Sequence, residues 1–152
     1  VVENVMISLI HGRKHLGLSD ARKEAVKFLE LVGLNNERDR TVNNLSLAGR
    51  RLLEVARALA LNPEVILLDE VIAGLNPSET VKVMDLIKSI RKDMGITIFW
   101  VEHVMRAIMN TAERIIVLDK GMVIAEGPPI EITNSTRVIE AYLGKKLGAE
   151  NA

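Results

Sequence analysis

Apolar and polar positions recur along this chain with two periods, and the change from one to the other marks out the elements. The first stretch, to about Asn44, is polar and helical. Ala25, Val26, Leu29 and Val32 share a face, Ser19 or Asp20 stands ready to cap, and Gly33 ends the helix. Residues 35–44 are polar and turn-like. After Ser46 the positions Leu52, Val55, Ala56, Leu59 and Ala60 follow the spacing of one buried helix face, with Arg50, Arg51, Glu54 and Arg57 mostly on the other. Asn62-Pro63 stops that helix. The period then changes. Val65–Leu68 is an uninterrupted apolar run of strand length, which predicts a strand buried on both faces. Asn76-Pro77-Ser78-Glu79 predicts a helix start, with Asn76 as N-cap, Pro77 in the first turn and Glu79 closing a capping box. Val83, Ile87, Ile90 and Met94 form its stripe, and Gly95 closes it. Residues 96–101 predict a second apolar strand. Strand, helix and strand in that order predict a βαβ unit with parallel strands. A helix from about Val104 to Thr111 follows, then strands over Arg114–Leu118 and Met122–Glu126 around the hairpin turn Asp119-Lys120-Gly121. A last helix is expected near Arg137–Leu143, fraying after Gly144.

Polar clusters stand at the ends of both predicted parallel strands: Asp69-Glu70 after the first and Glu102-His103 after the second. Ligands of open parallel sheets bind beyond the carboxyl ends of the strands, so this rim is where chemistry is expected. An apolar strand ending in Asp-Glu is the Walker B pattern of phosphoryl transfer. Asp69 stands where it can hold Mg²⁺, directly or through water, and Glu70 where it can orient and polarise an attacking water. The imidazole of His103 suits a γ-phosphate oxygen. Taken singly, a strand-end Asp-Glu is a solvated cap and a strand-end His is structural; their joint occurrence at βαβ spacing favours function. Leu45-Ser46-Leu47-Ala48-Gly49 opens the preceding helix, where a hydroxyl and a small residue let backbone N–H groups approach an anion. Alone, that segment reads as plain capping by Ser46.

Composition narrows the field. The chain has 152 residues, 48% hydrophobic and 26% charged, which suits a domain with a sizeable core. Its 20 basic and 20 acidic side chains balance, so no footprint for nucleic acid appears. There is no Cys, hence no disulfide framework and no thiolate metal site. The apolar runs fall far short of the roughly 20 residues a bilayer span requires.

Read together, these stretches resemble the ABC ATPase family. Leu45–Gly49 sits where that family has its LSGGQ signature, and residues 53–60 match the helix after it. Val65–Glu70 matches Walker B with its glutamate, Ala73-Gly74-Leu75-Asn76 the D-loop, and His103 the switch histidine. Residues 101–107, 124–128 and 138–144 look like the ATP-binding subunits of branched-chain amino acid importers. The resemblance implies an α/β fold: a partial P-loop NTPase-like ABC ATPase, mainly parallel sheet with a C-terminal β-hairpin and a helical signature subdomain. It divides the chain into a helical portion (1–62), the C-terminal part of the ATPase core (63–144) and a flexible tail (145–152). It further implies ATP and Mg²⁺ as ligands, and a head-to-tail dimer with a second ABC ATPase subunit, identical or not. In that dimer Ser46, Leu47, Ala48 and Gly49 face the γ-phosphate of ATP held by the partner, while Asp69, Glu70 and His103 serve the chain's own ATP. Gly74, Leu75 and Asn76 lie at the dimer interface. Transmembrane permease subunits gripped from the cytoplasmic face of the membrane complete the expected assembly, with no nucleic acid partner.

The sequence departs from the pattern in places. Leu47 and Ala48 replace two glycines, Gly49 replaces Gln, Val71 replaces Pro and Asn76 replaces Asp. No Gly-x-x-x-x-Gly-Lys-Ser/Thr occurs, and the chain opens Val1-Val2-Glu3. The expectation is therefore a C-terminal fragment of a transport ATPase, inactive alone because it lacks the phosphate-binding loop. The alternative is a non-catalytic module, a degenerate half-cassette docking on a permease or a sister ATPase. A chromosome-maintenance ATPase is disfavoured by neutral charge and by the absence of a long heptad segment.

Overall fold

In the computed structural model, residues 1–13 and 15–141 are described. The polar first stretch forms helices α1 (Val2–His11) and α2 (Leu18–Leu31). Val2, Val5 and Leu9 of α1 and Ala21, Ala25 and Leu29 of α2 are buried at helical spacing. The expected caps Ser19 and Asp20 instead lie inside α2, whose N-cap is Gly17 and carries no side-chain cap bond. The helix starts earlier because Leu18 extends it, and Ala21 bonds back to the carbonyl of Gly17 at 2.8 Å. Gly33 follows in the left-handed region (φ 76°), as expected of a helix end. Residues 35–37 and 42–44 are short 3₁₀ turns. The backbone N–H of Val2 donates to the carbonyl of Arg38 at 2.9 Å, tying these turns to α1.

Helix α3 (Leu47–Ala60) packs against α1 and α2. Its buried face is Ala48, Gly49, Leu53, Val55, Ala56, Leu59 and Ala60. Leu52, expected on that face, is only half-buried, and Leu53 takes its place.

Strands β1 (Val65–Asp69) and β2 (Thr97–Val101) pair in parallel, Val65 opposite Thr97 through Asp69 opposite Val101. Helix α4 (Pro77–Met94) connects them and packs on β2. The βαβ reading is correct, with the capping box at Asn76 and Glu79 in place and Gly95 closing the helix at φ 66°. The double-sided burial of β1 is not. Val65, Leu67, Thr97, Phe99 and Val101 are exposed on one face, while Ile66 is buried and Leu68, Ile98 and Trp100 are half-buried on the other. A continuous apolar run states that both faces tolerate burial, and here α4 covers one of them. Met94 also departs from its stripe and is exposed in the last turn of α4.

These elements belong to the unit Val1–Glu102; a second unit begins at His103. It holds α5 (Met105–Thr111), the antiparallel pair β3 (Ile115–Asp119) and β4 (Met122–Gly127), and α6 (Pro129–Thr133). Lys120 and Gly121 both have positive φ (48° and 79°), the backbone that a tight two-residue hairpin demands. The hairpin was legible from Asp119-Lys120-Gly121, whereas α6 was not anticipated. Ile115, Ile132 and Val138 form the core of this unit, with Ile108, Val117 and Ile124 packed against it. Residues 136–141 are helical. The rest of the expected last helix and the tail 145–152 lie outside the described residues.

Candidate functional site

The site begins at the N-terminus of α3. Ser46 has extended backbone (φ −61°, ψ 168°), and its Oγ accepts from the N–H of Gly49 at 3.1 Å. One free helix-start donor is thereby satisfied and the first turn is locked. Ala48 and Gly49 are buried, and Leu47 and Ser46 are exposed. The two adjacent arginines divide their roles. Arg50 folds back so that its Nε donates to the carbonyl of Leu45 at 3.2 Å. Arg51 pairs with Glu54 one turn on, at 3.2 Å.

Strand β1 delivers the acidic pair. Asp69 is its last residue and lies on the same exposed face as Leu67. Glu70 then adopts the left-handed region (φ 45°), which a non-glycine residue occupies at a cost of about 1 kcal/mol. Its N–H donates to the carbonyl of Val101 at 3.0 Å. The ends of both parallel strands are thus joined at the acidic pair, and both residues are exposed there. Beyond Glu70 the chain makes two tight turns, with Ala73 N–H bonded to Glu70 O at 3.0 Å and Leu75 N–H to Ile72 O at 3.2 Å. Val71 and Ile72 are buried and anchor this loop. Gly74 has φ 76°. Asn76 then caps α4, its Oδ1 accepting from the N–H of Glu79 at 3.0 Å while Glu79 Oε2 accepts from the N–H of Asn76 at 3.0 Å.

His103 opens the second unit, is exposed, and lies outside every strand and helix. The structure therefore unites Asp69 and Glu70 with the end of β2, and places Ser46, Leu47, Ala48, Gly49, Gly74, Leu75 and Asn76 in the same unit as that pair. Among the described residues no group of three or more acidic or His side chains could hold a metal alone. Mg²⁺ keeps most of its waters and takes one or two carboxylates together with substrate phosphates. Asp69, at an accessible strand end, fits that part.

Two features escaped the sequence reading. One is the left-handed backbone of Glu70. The other is the approach of the Leu45–Gly49 segment to the loop after β1: a methyl group built on Gly74 would lie 3.1 Å from Leu47 Cδ2. Neither leaves a mark in local pattern, since one is a dihedral set by the strand end and the other a contact between segments far apart in sequence. No helix among the described residues is long and apolar enough to cross a membrane.

Comparison with known proteins places this geometry in context. A family model described as ABC transporter matches residues 1–73, and one described as branched-chain amino acid ATP-binding cassette transporter matches residues 122–146. The high-affinity branched-chain amino acid transport ATP-binding protein LivG of Salmonella typhimurium is 41% identical over 127 residues, which is 84% of this chain and 50% of that protein. The chain thus spans about half the length of the curated relatives it matches. Among solved structures, an ATP-binding cassette of an ABC transporter in its ADP conformation superposes with a TM-score of 0.80 at 28% identity, covering 94% of this chain and 62% of the other. A dimeric ATP-binding cassette in a post-hydrolysis state bound to ADP and Pi gives a TM-score of 0.73 at 30% identity, over 84% of this chain and 56% of the other.

Proposed function

Because the chain belongs to the ATP-binding-cassette family of ABC transporters, we propose that it is the C-terminal part of an ATP-hydrolysing subunit that energises import of branched-chain amino acids. The observation that carries this reading is the pair Asp69-Glu70 at the joined ends of two parallel strands, preceded by the Ser46-capped helix and followed by the Asn76-capped one. The solute is inferred from the likeness to LivG and to the branched-chain family model.

In this reading Glu70 is the general base that orients the attacking water and takes its proton. Asp69 would hold Mg²⁺, directly or through water, and the ion would supply neutralisation of the charge that develops on the phosphates. His103 donates to a γ-phosphate oxygen. Ser46 and the N–H groups of the first turn of α3 face the γ-phosphate of ATP held by a second cassette, in keeping with the dimeric arrangement of a cassette relative. Gly74, Leu75 and Asn76 lie along that dimer interface. The subunit works peripherally on the cytoplasmic side of a permease.

The test uses the full-length product of the gene with its permease. ATP turnover that Glu70→Gln abolishes, together with uptake of leucine or isoleucine into vesicles, supports the proposal. A full-length protein that docks on the permease yet never binds ATP would instead support the non-catalytic module. The 152 residues alone contain no phosphate-binding loop, so they are expected to give no turnover in isolation.

A further inference from the structure

Helix α2 carries a stripe that takes no part in the proposed nucleotide chemistry. Ser19, Arg22, Lys23 and Val26 stand at i, i+3, i+4 and i+7, so they share one side of the helix. That spacing ordinarily marks an apolar face, yet the first three are polar and exposed. The chain then turns through residues 35–37 and brings Arg38 to the stripe. Together Ser19, Arg22, Lys23, Val26 and Arg38 line a concavity of about 380 Å³. Its lining holds cations, a hydroxyl and a half-buried valine but no acid, in a chain whose basic and acidic residues balance. Asp39, which is not part of that lining, braces both arginines. Arg22 Nη2 donates to Asp39 Oδ1 at 3.0 Å, and Arg38 Nε donates to Asp39 Oδ2 at 3.3 Å. Arg38 Nη1 also donates to Asn35 Oδ1 at 3.4 Å. Lys23 lies 3.6 Å from Asp20, both largely exposed. A guanidinium offers five N–H groups, so these bonds leave most of the arginine donors over.

We propose that this concavity binds a phosphate monoester, carried by a small soluble molecule or by a lipid headgroup. A concave surface lined by one sign of charge concentrates its field on the space it encloses. Asp20 and Asp39 stand against Arg22, Lys23 and Arg38, so a positive charge is left in excess even after the ion pairs are made. A phosphate monoester carries a charge of about −1.5 to −2 near neutral pH and three acceptor oxygens, which matches converging cations better than a second carboxylate does. Two arginines held in place by Asp39 are suited to fork-shaped bonds with those oxygens, and little is lost in ordering them when the ligand arrives. The Ser19 hydroxyl adds a donor, and Val26 gives the ligand's carbon an apolar surface. The volume lies in the range of roughly 300–1,000 Å³ usual for small-ligand sites, which favours a compact group over a folded partner. None of these residues serves the ATP chemistry proposed for Asp69, Glu70 and His103, so the site stands or falls independently of it.

The experiment uses the 152-residue chain, which contains no phosphate-binding loop to compete for the probe. Glycerol 3-phosphate is titrated at constant ionic strength and followed by backbone amide shifts, with glycerol as the uncharged control. Saturating shifts centred on residues 19–26 and 35–39 are expected. Arg22→Gln and Arg38→Gln are each expected to weaken binding about tenfold, since a charge-assisted bond to phosphate is lost. Lys88→Gln, which removes an exposed cation on α4, should change it by less than about twofold. The ion pairs broken are exposed and contribute little to stability, so these variants stay folded, and Lys23→Gln gives the same reading without touching Asp39. Phosphatidylcholine vesicles with and without phosphatidic acid distinguish the source. Cosedimentation that needs phosphatidic acid and is lost in Arg38→Gln assigns the site to a lipid headgroup; glycerol 3-phosphate binding without cosedimentation assigns it to a soluble ester. Shifts that never saturate, that centre on the start of α3, or that weaken equally in Lys88→Gln would overturn the proposal. So would binding of polyglutamate with none of either phosphate probe, which would make this surface a dock for an acidic protein segment.

Discussion

The backbone N–H of Glu70 reaches across to the carbonyl of Val101 at 3.0 Å, so the residue with the strained dihedral also closes the end of the parallel pair. Strain and the proposed catalytic role coincide there. Glu70 stands where glycine would fold more easily, and the bond to Val101 helps hold it in the left-handed region.

That coincidence gives opposite outcomes for two substitutions. Glu70→Gly relieves the left-handed strain and is expected to leave the 152-residue chain as stable as wild type or more so by up to about 1 kcal/mol. Glu70→Gln keeps the strain and leaves stability unchanged. Both are expected to cut ATP turnover of the full-length product by about a hundredfold or more, since each removes the base. Urea unfolding and a steady-state ATPase assay on the same pair of variants check this. A Glu70→Gly chain clearly less stable than wild type would show that the carboxylate itself holds the strand end.

Asn76 is expected to matter for stability apart from any role at an interface. Its Oδ1 accepts from the N–H of Glu79 at 3.0 Å and from Ser78 Oγ at 2.8 Å. Asn76→Ala removes that acceptor and should cost about 1 kcal/mol. Asn76→Asp keeps it and adds a negative charge at the positive end of α4, so it should be neutral within about 0.5 kcal/mol or slightly stabilising. Unfolding in urea followed by Trp100, the single tryptophan and a β2 residue, reads both variants. Equal losses for the two would mean that the cap bond contributes nothing.

The contrast between Asn76 and β1 explains what could be read from the sequence. The cap, the proline after it, the closing Gly95 and the hairpin at Lys120-Gly121 are local chemistry, complete within a few residues, and all were legible. The acidic pair at the strand end was legible for the same reason. The exposed face of β1 was not, because Val65–Leu68 states only that burial is tolerated, and what lies against each face is decided by distant segments. Leu52 and Leu53 differ by a single step of helix phase, too small for periodicity to resolve. The contact of Leu47 with Gly74 joins two segments that no local pattern connects.

Exposed apolar surface on the sheet makes a further prediction. Leu67 is 76% exposed and Phe99 54%, adjacent on paired strands with Val65 and Val101 beside them. Parallel sheets ordinarily have both faces covered, and a contiguous apolar patch in water drives association. The 152-residue chain is expected to self-associate at micromolar concentration, and Leu67→Thr/Phe99→Thr to shift it towards monomer in sedimentation. Since neither side chain is buried in this chain, stability should change by less than about 0.5 kcal/mol per substitution. Loss of folding in the double variant, rather than loss of association, would mean that this face is already packed.

Gly49 tests whether the residues at the start of α3 are shaped by stability or by ligand access. It lies in the first turn of α3, where glycine costs roughly 0.5–1 kcal/mol relative to alanine. Nothing in the structure forbids a side chain: a Cβ built there would meet Leu45 Cβ and Ser46 Oγ at 3.4 Å, ordinary contact, and the backbone is helical. Gly49→Ala is therefore expected to raise stability by about 0.5–1 kcal/mol, read as a higher urea midpoint with unchanged slope. The N–H of Gly49 is the donor that Ser46 Oγ accepts, so the cap itself survives the change. If that first turn receives a phosphate, the added methyl reduces the close approach that glycine permits, and the KM of the full-length product for ATP should rise while the chain grows more stable. A more stable variant with unaltered KM would show that Gly49 keeps no space for the nucleotide, and would move the phosphate contact from this turn to the Ser46 hydroxyl.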